Sequence, residues 1–219
     1  MTGACAACPI PLWLDGEDAR RMTEQPPFYD DLSACLAEAW RRLAEGAANR
    51  RGAFHTPTVA TVGLDGAPRL RTVVLRGADP AGRRLRFHTD RRAAKVAEIA
   101  REPRVALHAY EPTAKIQLRL DGLAAVHAEG PVVEGAWEAA LPMSRVCYGI
   151  APGPGTPIPR ADAYALPPDE EAARGDRANF RVVLVTVARM EFLYLSAEGH
   201  RRARFSWEGD AMTATWLAP

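Results

Sequence analysis

The segment Thr56–Gly77, "TPTVATVGLDGAPRLRTVVLRG", sets the architecture. Apolar and polar residues alternate through "TVATVG", and "LDGAP" supplies a turn with Asp65-Gly66 at its centre. "RLRTVVLRG" then brings the chain back, so two antiparallel strands are expected. The returning strand is rich in valine and leucine, yet it holds Arg69, Arg71 and Arg76. Alternation places Arg69, Arg71, Val73 and Leu75 on one side and Leu70, Thr72, Val74 and Arg76 on the other, so neither side is wholly apolar. A half-buried strand with solvated ends would account for this. So would a strand whose arginines hold an anion.

The flanking sequence repeats the theme. "ADPAGR" turns the chain into "RLRFHT", Asp90 is placed to cap a helix from Arg91 to about Arg101, and Pro103 ends that helix. "RVALHAY" and "AKIQLRLDGLAAVHA" follow as strands, the second alternating Ile116, Leu118 and Leu120 with Gln117 and Arg119. Upstream, Leu32, Cys35, Leu36, Ala39, Trp40 and Leu43 recur at helical spacing, with Gly46 as the expected stop. Residues 1–27 are proline-rich and read as an irregular arm, leaving 28–219 as one domain. Helical periodicity returns from Pro131 to Gly149. The run "APGPGTPIPRADAYALPPD" then reads as a long loop, functional or mobile, and four strands, "FRVVLVTVA", "MEFLYLS", "RRARFSW" and "AMTATWLAP", follow it. Strands joined by short turns with a few inserted helices imply a mainly β fold, an antiparallel barrel with flanking helices.

The composition narrows function without naming it. The chain has 219 residues, 47% hydrophobic and 25% charged, with a formal net charge of +1. Near-neutrality gives no global reason to expect nucleic acid or a membrane surface as partner. Only Lys95 and Lys115 among the 28 basic residues are lysines, a bias of composition that draws attention to both. Cys5 and Cys8 form a C-x-x-C pair with no second pair or nearby histidine to complete a metal site, and Cys35 reads as core. With neither a secretory leader pattern nor a run of transmembrane length, a cytoplasmic protein with reduced thiols is expected. Glycine-rich dinucleotide and triphosphate loops and the G-x-S-x-G elbow are absent, and the five histidines lack metal-ligand spacing. No metal and no side-chain nucleophile are expected.

What remains is a set of anion-competent residues at strand ends and helix starts: Arg71, Thr72, His88, Thr89, Lys95, Gln117 and Arg204. A guanidinium fork, a hydroxyl and a compact ammonium together suit a phosphate monoester, and a helix starting near Thr89 and Asp90 would add free amides.

The order of the blocks is more specific. "TPTVATVGLDGAPRLRTVVLRG", "LRFHTDRRAAKVAEI", "PRVALHAY", "KIQLRLDG", "MEFLYLSAEGHRRARFSW" and the terminal "WLAP" together resemble the pyridoxamine 5′-phosphate oxidase family, over roughly residues 50–129 and 180–219. "SRVCYGIAPGPGTP" places the likeness in its FMN-binding, oxidase-related branch. The resemblance implies a homodimeric split β-barrel with FMN sites built across the subunit interface. It implies that Arg71, Thr72, Val73, Val74 and Leu75 form the strand along the flavin, with Arg76 where the oxidases carry lysine. His88 and Thr89 match a Tyr-Thr pair whose threonine contacts phosphate, and Lys95 matches a phosphate-binding lysine. Gln117 matches a glutamine that reaches the flavin from the partner chain, and Arg204 an arginine that closes the site.

The departures are equally specific. Ala93-Ala94 replace a Ser-Arg that contacts phosphate, and Leu193 replaces a tryptophan. His200-Arg201-Arg202-Ala203 stands where the oxidases bind substrate through Arg-x-His, leaving Ser144 and His200 as the substrate-binding candidates. The implied function is an FMN-dependent oxidoreductase acting on a small molecule, in which the flavin carries the redox chemistry. A non-catalytic FMN-binding protein is the alternative. An RNA or DNA binder using "RRLRF" and "HRRARF" ranks third, against the neutral net charge.

Overall fold

The structure is a computed structural model that describes residues 25–167 and 176–219. The Cys5–Cys8 pair and nearly all of the N-terminal arm lie outside the described residues. Helix α1 (Leu32–Ala48) is the first element of the described residues, capped by Asp31, whose Oδ1 accepts the Ala34 amide at 2.9 Å. Its stripe of Cys35, Ala39, Trp40 and Leu43 is buried, as the spacing predicts. Gly46 is not the stop. It lies inside the helix, buried against Phe54, where a Cβ would stand 2.6 Å from the Phe54 backbone, so glycine here serves close packing.

Among the described residues nine strands follow in one sheet: β1 (Thr58–Val62), β2 (Pro68–Thr72), β3 (Leu75–Asp79), β4 (Arg84–Asp90), β5 (Arg104–Glu111), β6 (Ile116–His127), β7 (Phe180–Tyr194), β8 (Arg201–Glu208) and β9 (Ala211–Leu217). All pairings are antiparallel, in the order β2-β1-β5-β6-β7-β4-β3 with β8 and β9 branching from β7. Helices α2 (Ala94–Arg101), α3 (Pro131–Glu138) and α4 (Pro142–Arg145) fill the connections.

Three departures from the sequence reading shape the molecule. "RLRTVVLRG" is two strands: β2 pairs with β1, β3 pairs with β4, and Val73-Val74 between them belong to neither ladder. The chain thus passes from one end of the sheet path to the other without pairing, and the barrel stays open along that line. "FRVVLVTVA" and "MEFLYLS" are one strand of 15 residues, β7, which offers Phe180–Thr186 to β4 and Arg189–Tyr194 to β8 along the same edge. Its register against β6 slips between Asp121 and Gly122, where a Cβ on Gly122 would collide with the Thr186 carbonyl. Finally, Asp90 does not cap α2. Its carboxylate accepts the Arg92 amide at 2.7 Å and the Arg92 guanidinium at 2.6 and 2.9 Å, so the helix begins only at Ala94, without a side-chain cap.

The inward rows of the sheet, with Phe87, Leu118, Leu120, Met190, Phe192 and Phe205, pack against Trp40 and Leu43 of α1 in one core. A smaller cluster, Val133, Ala136, Tyr148, Phe180 and Val182, fastens α3 to the start of β7. Between these two clusters lies a cavity.

Candidate functional site

The cavity, of about 570 Å³, opens at the corner where β2 gives way to β3. Thr72, Val73 and Val74 line one side, and the Val73 amide is held by the Pro57 carbonyl at 3.0 Å, which fixes the corner. Arg86 and His88 come from β4, two residues apart and therefore on one face, while Leu85, Phe87 and Thr89 turn inward. Lys95 enters from the first turn of α2, and Ala136, Ala140, Leu141 and Ser144 from the α3–α4 region form the opposite wall with Tyr148 and Phe180.

The charges in this cavity are one-sided. Arg50, Arg76, Arg86 and Lys95 line it, none forms an ion pair with a carboxylate among the described residues, and no acidic residue lines it. Lys95 Nζ donates to Thr89 Oγ1 at 3.1 Å. Burial, and then the nearby Arg71 charge, lower the Lys95 pKa. His88 packs edge-on against Phe180, with ring centroids 4.9 Å apart, and burial with the Arg86 and Arg76 charges pushes its pKa down to about 4. It is therefore neutral near pH 7. Both His88 Nε2 and Arg86 Nε are buried without a hydrogen-bond partner, whereas Arg86 Nη2 donates to the Arg76 carbonyl at 2.9 Å. Buried polar atoms left open in a cationic, partly apolar cleft fit an anion-bearing planar ligand. The ammonium of Lys95 would suit a phosphate group, and Val73, Val74 and Phe180 a planar ring; FMN has both.

The residues singled out from the sequence fall into several groups. Thr72, Val73, Val74, Arg76, His88, Lys95 and Ser144 line the cavity together. Thr89 is buried behind it and holds Lys95. Leu75 is fully buried in the core, which leaves only its backbone for any ligand. Arg71 turns toward α2, where its Nη2 meets Glu98 Oε2 at 2.8 Å. Gln117 and Arg204 are not cavity residues. They occupy neighbouring rungs across β6, β7 and β8, where Gln117 is opposite Leu193, Leu193 opposite Arg202, and Arg204 opposite Glu191. His200 lies in the β7–β8 connection, where its Nδ1 accepts the Ser196 amide at 3.1 Å.

Arg50, Arg86, Tyr148 and Phe180 were not singled out in the sequence. Arg86 was findable, since it stands two residues before His88 on a strand whose alternate positions are apolar. Arg50 and Tyr148 come from loop and 3₁₀ segments without a periodic signal. Another unforeseen residue, Arg92, clamps the following region by donating to Ile150 O at 2.9 Å and Tyr148 O at 3.1 Å. A second hollow, of about 350 Å³ between Ile150 and Leu166, is lined mainly by apolar side chains and backbone, with no charged residue among the described ones.

Among the described residues, no group of three or more His, Cys, Asp or Glu side chains could hold a metal, and no helix is long and apolar enough to cross a membrane.

An open antiparallel barrel with flanking helices and a cationic pocket at its corner defines a split-barrel class of fold. The same fold occurs in a pyridoxamine 5′-phosphate oxidase-related, FMN-binding protein from Nostoc punctiforme PCC 73102 (TM-score 0.63, 22% identity, 90% of this chain and 99% of that one). It also occurs in PhzG from Burkholderia lata 383, solved with tetrahydrophenazine-1-carboxylic acid (TM-score 0.69, 20% identity, 90% and 99% covered). More particularly, residues 37–128 match the family model for the pyridoxamine 5′-phosphate oxidase, FMN-binding domain. That segment includes Arg71 to Arg76, His88, Thr89, Lys95 and Gln117, and it stops short of Ser144, His200 and Arg204.

Among curated proteins, pyridoxine/pyridoxamine 5′-phosphate oxidase 2 of Arabidopsis thaliana is 33% identical over 128 residues, 54% of this chain and 64% of that protein. The pyridoxine/pyridoxamine 5′-phosphate oxidase of Novosphingobium aromaticivorans is 28% identical over 218 residues, 92% of this chain and 100% of that one.

Proposed function

We propose that the protein is an FMN-dependent oxidoreductase, active as a homodimer on a small planar molecule that carries an acidic group. The observation that carries this reading is the cavity at the β2–β3 corner, with four cations that no carboxylate among the described residues neutralises, beside a wall of Val73, Val74 and Phe180. Bound FMN would supply hydride acceptance and electron delivery. The chain's part is to hold and orient. Lys95, supported by Thr89, neutralises the cofactor phosphate, and the apolar wall keeps water from the ring. Arg76, Arg86 and Arg50 remain to orient an anionic substrate, with Ser144 as a hydrogen-bonding neighbour. Gln117 on β6 and Arg204 on β8, on neighbouring rungs of another part of the sheet with β7 between them, would complete the site of a second copy.

The experiment begins with colour. Purified protein is expected to be yellow or to become so with added FMN, and Lys95→Ala is expected to lose that uptake. Colourless protein that ignores added FMN would remove the flavin reading. Pyridoxamine 5′-phosphate, added anaerobically to the flavin-loaded protein, is the first substrate to try because the curated relatives are named for it. A flavin that stays oxidised discards that substrate.

A non-catalytic FMN carrier is the second reading. It is favoured by His200, whose Nδ1 is occupied by the Ser196 amide and which lacks the oxidases' Arg-x-His context. Failure of a panel of phosphorylated and carboxylated amines and alcohols to bleach the flavin would favour it.

A further inference from the structure

We propose that Glu98, braced by Thr61, is the positioning residue that holds the Arg71 guanidinium for phosphate binding, an inference that rests on the flavin reading above. Glu98 lies one turn after Lys95 on α2 and is 4% exposed, and Thr61 on β1 is 3% exposed. Glu98 Oε2 accepts from Thr61 Oγ1 at 2.5 Å and from Arg71 Nη2 at 2.8 Å, while Arg71 Nη1 donates to Thr61 Oγ1. Three elements, α2, β1 and β2, therefore meet at one carboxylate. A carboxylate this deeply buried is retained when it is paired and hydrogen-bonded, and here the pairing has a directional result. A guanidinium offers five N–H donors in a rigid plane; Glu98 engages Nη2, and Thr61 and the Arg69 carbonyl at 3.4 Å engage Nη1, which fixes the plane and leaves Nε and one Nη2 hydrogen over.

The same carboxylate also keeps two cations together. Arg71 and Lys95 repel one another, as the effect of Arg71 on Lys95 shows, and Glu98 acts on Lys95 in the opposite sense. Without the Glu98 charge the two cations would separate, and a doubly charged phosphate would have to gather them as it binds. With it, they are assembled in advance, and this preorganisation favours binding. A purely structural ion pair tying α2 to β1 and β2 would make a different prediction. It would matter equally for any ligand, whereas positioning of Arg71 matters only for a ligand with a phosphate.

The test compares FMN with riboflavin, which lacks the phosphate, on the full-length protein by quenching of flavin fluorescence. Glu98→Gln is expected to weaken FMN binding about ten- to a hundredfold, the size of losing a hydrogen bond to a charged group, and to leave riboflavin binding within about twofold. On an Arg71→Ala background the same substitution is expected to have little further effect. Equal weakening of both flavins, unchanged or tighter FMN binding, or an undiminished loss without Arg71 would each overturn the proposal. Thr61→Val, which keeps shape but removes the brace, gives a second measure of the FMN-to-riboflavin ratio should the Glu98 variant fail to fold. Wild-type protein that takes up neither flavin would instead bring down the flavin reading, and this inference with it.

Discussion

Arg69, Arg71 and Arg76 sit within one short segment and have three different surroundings. Arg69 pairs with Asp65 at 2.7 Å with both side chains largely exposed, an interaction that contributes little to stability. Arg71 is drawn to the buried Glu98, and Arg76 faces the cavity. The strand's charge thus divides between solvent, a buried anchor and a pocket. Each can be probed by itself. Arg69→Ala is expected to leave FMN affinity unchanged, whereas Lys95→Ala is expected to reduce it by about tenfold or more, as read by flavin fluorescence titration.

His88 gives a pH prediction. Its pKa falls from 6.5 in the unfolded chain to about 4 in the fold, so between these values the unfolded state binds the proton and the folded state does not. The contribution is fully present above pH 6.5 and is lost as the pH falls toward 4, amounting to at most about 3 kcal/mol. Urea denaturation of wild type and His88→Phe from pH 7.5 to 4.5 checks this: the variant should lose part of the acid slope. An unchanged slope would reject the assignment.

Elements were unevenly legible in the sequence. The packing helix α1 and the alternation of β6 were readable because each has a long periodic run against one core. The two breaks were not. Val73-Val74 continue the apolar pattern of β2, so nothing local marks the change of partner; it is imposed by β1 and β4 lying far apart along the sheet path. Likewise the helix at Asp90 was expected earlier than it forms, because the Asp90 carboxylate is claimed by Arg92, a competition between two adjacent side chains that propensity does not weigh. Of the candidate site, the strand and Lys95 were legible from motif order, while nothing in the sequence around Glu98 marks it as a buried carboxylate, which it is in the fold. The bulge at Gly122 is open to a direct test. Gly122→Ala should lower stability by about 1–3 kcal/mol through collision with the Thr186 carbonyl, measured by thermal or urea unfolding.

For the molecule as a whole, the separation of Gln117 and Arg204 from the cavity matters most. If two chains together build each site, a Lys95→Ala chain and an Arg204→Ala chain are each expected to bind FMN poorly alone. Mixed after unfolding and refolding together, they should recover about a quarter of the sites, since random pairing makes half the dimers mixed and each mixed dimer keeps one intact site. Sedimentation shows whether the dimer exists, and absence of recovery in a proven dimer would place Arg204 outside the site.

The unpaired corner at Val73-Val74 also has a mechanical meaning. No ladder hydrogen bond joins β2 to β3, so the two ends of the sheet path are connected there only by covalent backbone. A ligand gripped at once by this corner, Lys95 and the α3–α4 wall would act as a non-covalent clasp across the seam. Loading the protein with FMN should therefore slow amide exchange along β2 and β3 more than in the β6–β7 centre of the sheet, and the barrel would owe part of its cohesion to what it carries.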